Sequence, residues 1–86
     1  MSLTINERIT VVAVFGDKDS PLTPVHMRWN KKQYKLGKVD FYHTARDGHH
    51  TVHHFSLTDD EQSMYMKLAF NSGSLAWTLQ ETEACQ

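Results

Sequence analysis

The stretch VDFYHTARDGHHTVHHFSL, residues 39–57, decides the fold that this sequence predicts. Apolar residues alternate with polar ones near both of its ends, which is the pattern of two β-strands with one buried face. A turn through Asp47 and Gly48 joins them, and a one-residue error in register would send the apolar set to solvent. The register that buries the apolar set pairs Val39 with Leu57, Phe41 with Phe55 and His43 with His53. We therefore predict an antiparallel hairpin with Phe41 and Phe55 as neighbours inside.

The alternation extends upstream of this hairpin. A four-residue loop at 30–33 would place Trp29 opposite Tyr34 and Met27 opposite Leu36. At Gly37 the apolar positions slip by one residue. A glycine at such a slip is typical of a β-bulge, where one extra residue bends the strand and restores the buried face.

Two more strands follow downstream, joined by loops at 59–62 and 71–74. Their predicted cross-strand pairs are Leu57 with Met64, Phe55 with Met66, His53 with Leu68, Phe70 with Leu75, Leu68 with Trp77, and Met66 with Leu79. The predicted inner rows are Phe41, Phe55, Met66, Leu79 and His43, His53, Leu68, Trp77, and the predicted outer row is Tyr42, His54, Lys67, Thr78. Separate segments thus agree on one apolar face, as expected of a real fold.

With a first strand over 9–15 and a long loop over 16–24, the chain is predicted to be all-β. We expect a single small antiparallel domain of about six strands, a half-open barrel or a strongly bent meander, with residues 1–8 and 81–86 as poorly ordered tails. The alternative is an α+β fold with a helix near 59–71, because residues 58–61 fit a capping box and residues 64–69 allow an apolar helical stripe.

Composition narrows the possible partners and location. The net charge of −1 gives the whole molecule no attraction to nucleic acid or anionic lipid. The longest apolar run, Val11 to Phe15, is far shorter than the ~20 residues that span a bilayer. We expect no membrane partner and, in the absence of a secretory pattern at the start, a cytoplasmic chain. The single cysteine, Cys85, allows no intramolecular disulfide.

Histidines are concentrated in one segment: His43, His49, His50, His53 and His54 fall within twelve residues. Imidazole is a common zinc ligand, and a site needs three or four ligands. If His43 and His53 are directly opposite, their Cβ atoms lie about 5 Å apart and could share an ion. We expect no cofactor, but the pair His43 and His53 is the candidate metal site, with zinc as the ion. The competing interpretation is that these residues have structural or surface roles.

Basic residues also cluster locally. Residues 28–46 hold six basic side chains against one acid. Cations interleaved with aromatic rings on a small sheet are typical of single-stranded nucleic-acid binding. The candidate partner or nucleic-acid surface is Arg28, Lys32, Lys35, Tyr42 and His54. The competing interpretation is a solvated hairpin whose lysines discourage edge pairing.

Enzyme motifs are not found. The sequence has no glycine-rich phosphate loop, nucleophile elbow or His-Glu-x-x-His helix. His54 and Ser56 are neighbours on one exposed strand in the predicted register, with no pocket implied. We predict no catalytic residues and no enzymatic activity.

Several segments resemble a group of small uncharacterised bacterial β domains. The resemblance covers residues 25–80 and depends on a shared order of mostly core positions: Arg28-Trp29, Tyr34-Lys35-Leu36, His54-Phe55-Ser56-Leu57-Thr58-Asp59, Tyr65 and Leu75-Ala76-Trp77-Thr78-Leu79. It implies a small β fold and no activity. The first strand lies outside it.

These observations favour a non-catalytic binding or protein-interaction module. Its partner is predicted to be an unidentified protein, or a second copy of the chain that pairs through sheet edges. Metal binding by the cluster from His43 to His54 and single-stranded nucleic-acid binding by the basic 28–46 hairpin are the alternatives.

Overall fold

The computed structural model describes residues 2–16 and 22–84, at position 2 for the backbone only. It contains six strands: β1 (Ser2–Phe15), β2 (Leu22–Trp29), β3 (Lys32–Asp47), β4 (His50–Asp59), β5 (Met64–Asn71) and β6 (Ala76–Ala84). The all-β prediction is confirmed. The helix alternative near 59–71 is wrong, because Met64–Asn71 is a strand. In the part of the chain that is described, no helix could cross a membrane.

The six strands form one antiparallel sheet in chain order, and β1 pairs with β6 to close it into a ring. The ring is uneven because β1 divides its pairing. Its first part, from Ser2 to Ile9, pairs with β6, and its second part, from Thr10 to Phe15, pairs with β2. Residues 2–8 and 81–84, predicted as tails, are therefore parts of paired strands; Cys85 lies outside the described residues.

One hydrophobic core fills the ring. Its buried members come from every strand: Ile9, Leu22, Met27, Leu36, Phe55, Leu57, Met66, Leu68, Phe70, Trp77 and Leu79. Pro24, predicted to lie in the loop, is buried in β2 opposite Ala13, where the β1–β2 register shifts. A proline at a bulge is tolerated because the ladder is already interrupted there.

Three predicted registers are wrong, by two residues over most of their length. The β5–β6 register also shifts between Lys67 and Leu68, so Met66 faces Thr82 and not the predicted Leu79. The observed pairs include Met27 with Tyr34, Leu57 with Met66, Phe55 with Leu68, Phe70 with Trp77 and Leu68 with Leu79. A shift of two residues keeps each side chain on its predicted face. The residues predicted for the core of these strands were therefore correct although their partners were not.

The turns explain these shifts. The β2–β3 connection is a two-residue turn at Asn30 and Lys31, with φ of 55° and 64°, the conformation of a tight hairpin. Leu75 has φ of 57° and is 71% exposed, so it belongs to the β5–β6 loop and does not face Phe70. Sequence alternation alone did not distinguish these turn lengths.

Between β3 and β4 the prediction is half right. The register shifts between Leu36 and Val39, which agrees with the bulge predicted at Gly37, and Val39 faces Leu57 as predicted. A second shift between Val39 and Phe41 was not predicted. As a result, the predicted pairs Phe41–Phe55 and His43–His53 are wrong, and the observed pairs are Tyr42–Phe55, His43–His54 and Thr44–His53. Phe41 and His43 move to the outer face, and Tyr42 moves to the inner face.

Gly37 occupies its position because two backbone segments approach closely there. A Cβ atom at Gly37 would lie 2.9 Å from the Asp59 carbonyl oxygen and 3.1 Å from the Thr58 carbonyl oxygen. Backbone oxygens cannot rotate away as a flexible side chain can. Next to this contact, the Asp60 N–H donates to the Lys35 carbonyl oxygen at 2.9 Å. The β4–β5 turn is thus attached to β3 at the bulge.

Asp59 organises that turn from a buried position. Its carboxylate accepts hydrogen bonds from the Ser63 N–H at 2.7 Å, the Ser63 hydroxyl at 2.5 Å and the Met64 N–H at 3.3 Å. Burial by itself would raise the pKa of Asp59, but the hydrogen bonds from Ser63 and Met64 outweigh it and hold the pKa below its ordinary value of 3.8.

We expect Gly37→Ala to destabilise the protein by about 1–3 kcal/mol, because the added methyl group forces β3 and the β4–β5 turn apart. Urea unfolding measures the change. Lys38→Ala, at an exposed neighbouring position, is the control and should change the free energy of unfolding by less than about 0.5 kcal/mol. Equal stability of Gly37→Ala and the unsubstituted chain would contradict the close approach.

Asp59→Asn should destabilise the protein at pH 7 by about 1–3 kcal/mol, because the amide cannot accept all three hydrogen bonds. The folded-state pKa of Asp59 is lowered, so its contribution is present above the unfolded-state pKa and is lost as the pH falls through the folded-state value. The stability gap between the two chains should therefore shrink below about pH 4, as measured by urea unfolding at pH 7 and pH 3. Asp60→Asn, at an exposed site, is the control; a gap independent of pH would show that the charge of Asp59 has no such role.

Candidate binding edge

The distal half of β3 forms the most exposed structured segment of the described chain. Every residue from Asp40 to His50 is exposed, although most of them lie in β3 or β4. β3 pairs with β2 only over Lys32–Lys35 and with β4 from Leu36 to Asp47. Within residues 2–16 and 22–84, no strand pairs with β3 beyond Lys35 on the side away from β4. We call residues 40–47 the β3 edge.

The hairpin turn determines which backbone groups face this open side. Gly48, with φ of 63°, and His49 form a two-residue loop closed by Asp47 and His50. The closing pair of such a loop exchanges backbone hydrogen bonds, and hydrogen-bonded pairs then alternate along the ladder. The N–H and C=O groups of Phe41, His43, Ala45 and Asp47 therefore face β4. Those of Tyr42, Thr44 and Arg46 point to the open side.

Contacts on the other side of β4 agree with this alternation. The Ser72 N–H donates to the Thr51 carbonyl oxygen at 2.9 Å, and the Thr51 N–H donates to Ser72 Oγ at 3.1 Å. The backbone of Thr51 thus faces β5, as the residue next to the closing residue His50 should. The ring of His50 lies over Gly73, where a Cβ atom would collide with it. These contacts hold the β3–β4 turn against the β5–β6 loop.

On its inner face the β3 edge carries an aromatic contact surface. The Tyr42 hydroxyl and His53 Nδ1 share a hydrogen bond of 2.6 Å, with the donor set by the imidazole tautomer, and the two rings stack. Tyr42 also contacts Phe55, with ring centroids 5.0 Å apart. His53 contacts Phe70, which packs on Trp77 at 4.8 Å. The edge strand is therefore joined to the core by a continuous row of rings.

The outer face carries a second, smaller stack. The imidazoles of His43 and His54 are nearly parallel, with centroids 4.7 Å apart and an interplanar angle of 9°. Phe41 lies beside His43 at 5.4 Å and is 61% exposed. The two faces of the edge thus present flat apolar or amphipathic rings, with backbone donors and acceptors between them.

The predicted metal pair is not assembled. His43 faces His54 on the outer side, whereas His53 faces Thr44 and contacts Tyr42 on the inner side. The one-residue slip at the second bulge separates them. The pair that is brought together, His43 and His54, supplies two ligands, fewer than the three protein ligands of a zinc site. Among the residues described, no group of three or more His, Cys, Asp or Glu side chains is placed to hold a metal.

The five residues of the predicted partner surface lie in different places. Arg28 and Lys35 are on the outer face of β2 and β3, and Lys32 lies at the rim with its ammonium group 5.3 Å from the Tyr34 ring centre. Tyr42 is on the inner face of the β3 edge, whereas His54 is on the outer face of β4. The cations and the rings therefore do not share one surface.

The sequence prediction missed the residues that make the edge, namely Thr44 and Arg46, because it placed their strand one residue out of register. A second bulge next to Asp40 was the missing feature. Asp40 follows Val39 directly and is polar, but a single polar residue in an alternating strand does not identify a bulge.

Comparisons with known proteins add no assignment: no family model, no curated protein and no solved structure matches this chain. The resemblance to small bacterial β domains stays a prediction. The candidate site therefore depends on geometry alone.

We expect a disulfide to form between Thr44→Cys and His53→Cys when both are introduced together with Cys85→Ser. These two residues are a non-hydrogen-bonded pair, whose Cα atoms lie about 4.5 Å apart, within the range that a disulfide spans. The matched control combines His43→Cys and His53→Cys, which lie on opposite faces and should form no disulfide between positions 43 and 53 of one chain. Mass spectrometry of unreduced peptides measures both. A disulfide in the control and none in the test pair would contradict the observed register and support the one predicted from sequence, in which His43 faces His53.

Proposed function

We propose that this chain is a non-catalytic protein-interaction module that binds an extended polypeptide segment along the β3 edge by adding a strand to the sheet. The observation that carries the proposal is the open side of β3 over residues 40–47. There every second residue, Tyr42, Thr44 and Arg46, directs its backbone N–H and C=O groups away from β4. Backbone hydrogen bonds supply affinity in this mode of recognition, and pockets for alternate side chains supply specificity.

The composition of the edge supports this role. Natural edge strands are commonly protected by lysine, proline or a covering segment. Lysine occurs at positions 32, 35 and 38, in and beside the part of β3 that pairs with β2, but neither lysine nor proline occurs from Val39 to Asp47. The edge therefore has neither of these two protecting residue types at the segment that β2 leaves unpaired.

Side chains on both faces provide contact surface for a docked strand. On the outer face, Phe41 and His43 offer exposed rings; on the inner face, Tyr42 offers its ring edge. The nearest neighbours of these side chains are other rings, an arrangement suited to contact rather than to activating a nucleophile. This favours binding over catalysis.

Single-stranded nucleic acid is a weaker candidate. Arg28, Lys35 and His26 share the outer face of β2 and β3 and could contact phosphates. The rings of Trp29 and Tyr34, however, pack against the core, and Tyr42 lies on the separate β3 edge. Base stacking, the second component of such binding, has no Phe, Tyr or Trp ring on the basic face of the described residues.

Thr44→Pro should abolish strand addition, because proline removes the central outward-facing N–H and leaves the bonds to β4 intact. Twelve-residue peptides would be selected by display against the unsubstituted chain, and their affinities measured by fluorescence anisotropy. We expect at least about tenfold weaker binding to Thr44→Pro, since strand addition depends on these backbone hydrogen bonds.

Thr44→Val, which keeps the N–H, is the control and should bind the selected peptides within about twofold of the unsubstituted chain. Circular dichroism would confirm that Thr44→Pro is folded. Arg46→Pro provides a second blocking variant if it is not. Selected peptides that bind both proline variants as tightly as the unsubstituted chain would overturn the proposal.

A further inference from the structure

We infer that the strand added to the β3 edge is the β3 edge of a second copy, paired antiparallel about a two-fold axis at His43. This inference rests on the proposed function, since it names the partner of the same edge. It follows from the direction of the backbone groups and from the order of charges along residues 40–47.

Backbone geometry limits where the axis can lie. From Phe41 to Asp47, Tyr42, Thr44 and Arg46 direct their N–H and C=O groups outward, so hydrogen bonds form where one of these residues faces another, as Tyr42 and Thr44 do about an axis at His43. An axis midway between two residues would oppose an outward-facing residue to one that faces β4. The axis must therefore pass through a residue, and the candidates near the centre of the edge are positions 42, 43, 44 and 45.

The four registers differ in which residue of the second copy faces Arg46. An axis at His43 places Asp40 of each copy opposite Arg46 of the other, so that two ion pairs flank the axis. An axis at Tyr42 instead opposes Lys38 and Arg46, which carry like charges. The axes at positions 44 and 45 leave Arg46 opposite Tyr42 and Thr44 respectively. Opposite charges directly across a sheet stabilise the pairing and like charges oppose it.

With the axis at His43, the side chains that meet on each face of the sheet also fit together in size. On the outer face Phe41, which is 61% exposed, lies opposite Ala45 of the second copy, and the two His43 rings are neighbours at the axis. On the inner face Tyr42 lies opposite Thr44. The large ring of Phe41 thus meets the smallest side chain of the edge, and its apolar surface is covered. Pairing over about seven residues is a small interface, so we expect a concentration-dependent dimer.

Single cysteines locate the axis directly. In the Cys85→Ser chain, a cysteine on the two-fold axis faces itself, and at position 43 it would form a non-hydrogen-bonded pair with Cα atoms about 4.5 Å apart. We expect His43→Cys to form a disulfide-linked dimer under mild oxidation. Tyr42→Cys, Thr44→Cys and Ala45→Cys, each marking one of the other axes, should stay monomeric on unreduced gels. Cross-linking strongest at any of those three positions would overturn the register.

Charge reversal provides an independent test without cysteines. Sedimentation velocity of the full chain over a concentration series would measure the dimer dissociation constant. Asp40→Arg and Arg46→Asp alone should each weaken dimerisation at least about fivefold, because each replaces two attractions with two repulsions. The double variant should restore it. Asp60→Arg, which makes the same charge change on the exposed β4–β5 turn, should have no effect; equal weakening by Asp60→Arg would overturn the pairing.

Failure of this inference can be distinguished from failure of the proposed function. A chain that stays monomeric at millimolar concentration, yet binds selected peptides in a manner that Thr44→Pro abolishes, keeps the edge as a binding site and excludes the second copy as its occupant. A dimer that Thr44→Pro leaves unchanged uses another surface, and the inference is then wrong whatever the peptides show.

Discussion

The structure depends on the contact between Gly37 and the carbonyl groups of Thr58 and Asp59. Two strands can approach this closely only where one of them carries no side chain, so the path of β3 past the β4–β5 turn is determined at this position. The hydrogen bond from the Asp60 N–H to the Lys35 carbonyl and the buried Asp59 carboxylate stabilise the turn on the other side of the contact. The division of β3 into a paired half and an open half begins here.

Two bulges close together lie between the two halves of β3. Before Gly37, β3 pairs with β2 and completes the ring; after Asp40, β4 is its one partner among the residues that the structure describes. Each bulge adds a residue to β3 and increases its local twist. The second bulge also reverses the faces, which brings Tyr42 over His53 and turns Phe41 and His43 outward. The aromatic row that joins Tyr42 to Trp77 connects the open edge to the core.

An unpaired strand edge exposes backbone N–H and C=O groups that can pair with another chain. On the other side of the ring, β1 is shared between two neighbours: Ser2–Ile9 pairs with β6, and Thr10–Phe15 pairs with β2. The β3 edge has hydrogen-bonding groups in register, rings on both faces, and an acid and a base separated by six positions. The strand addition and the two-fold pairing proposed above both depend on these features.

Sequence alone determined the all-β class, the bulge at Gly37, the strands from Leu57 to Leu79 and most of the core, because alternation with a period of two assigns each side chain to a face. A register error of two residues does not alter that assignment, so Phe55, Met66, Leu68 and Leu79 were placed inside although their partners were wrong. Only the tertiary structure decided the turn lengths, the second bulge and the closure by β1, because each depends on contacts between residues far apart in the chain. Those contacts place Phe41 outside and leave residues 40–47 open.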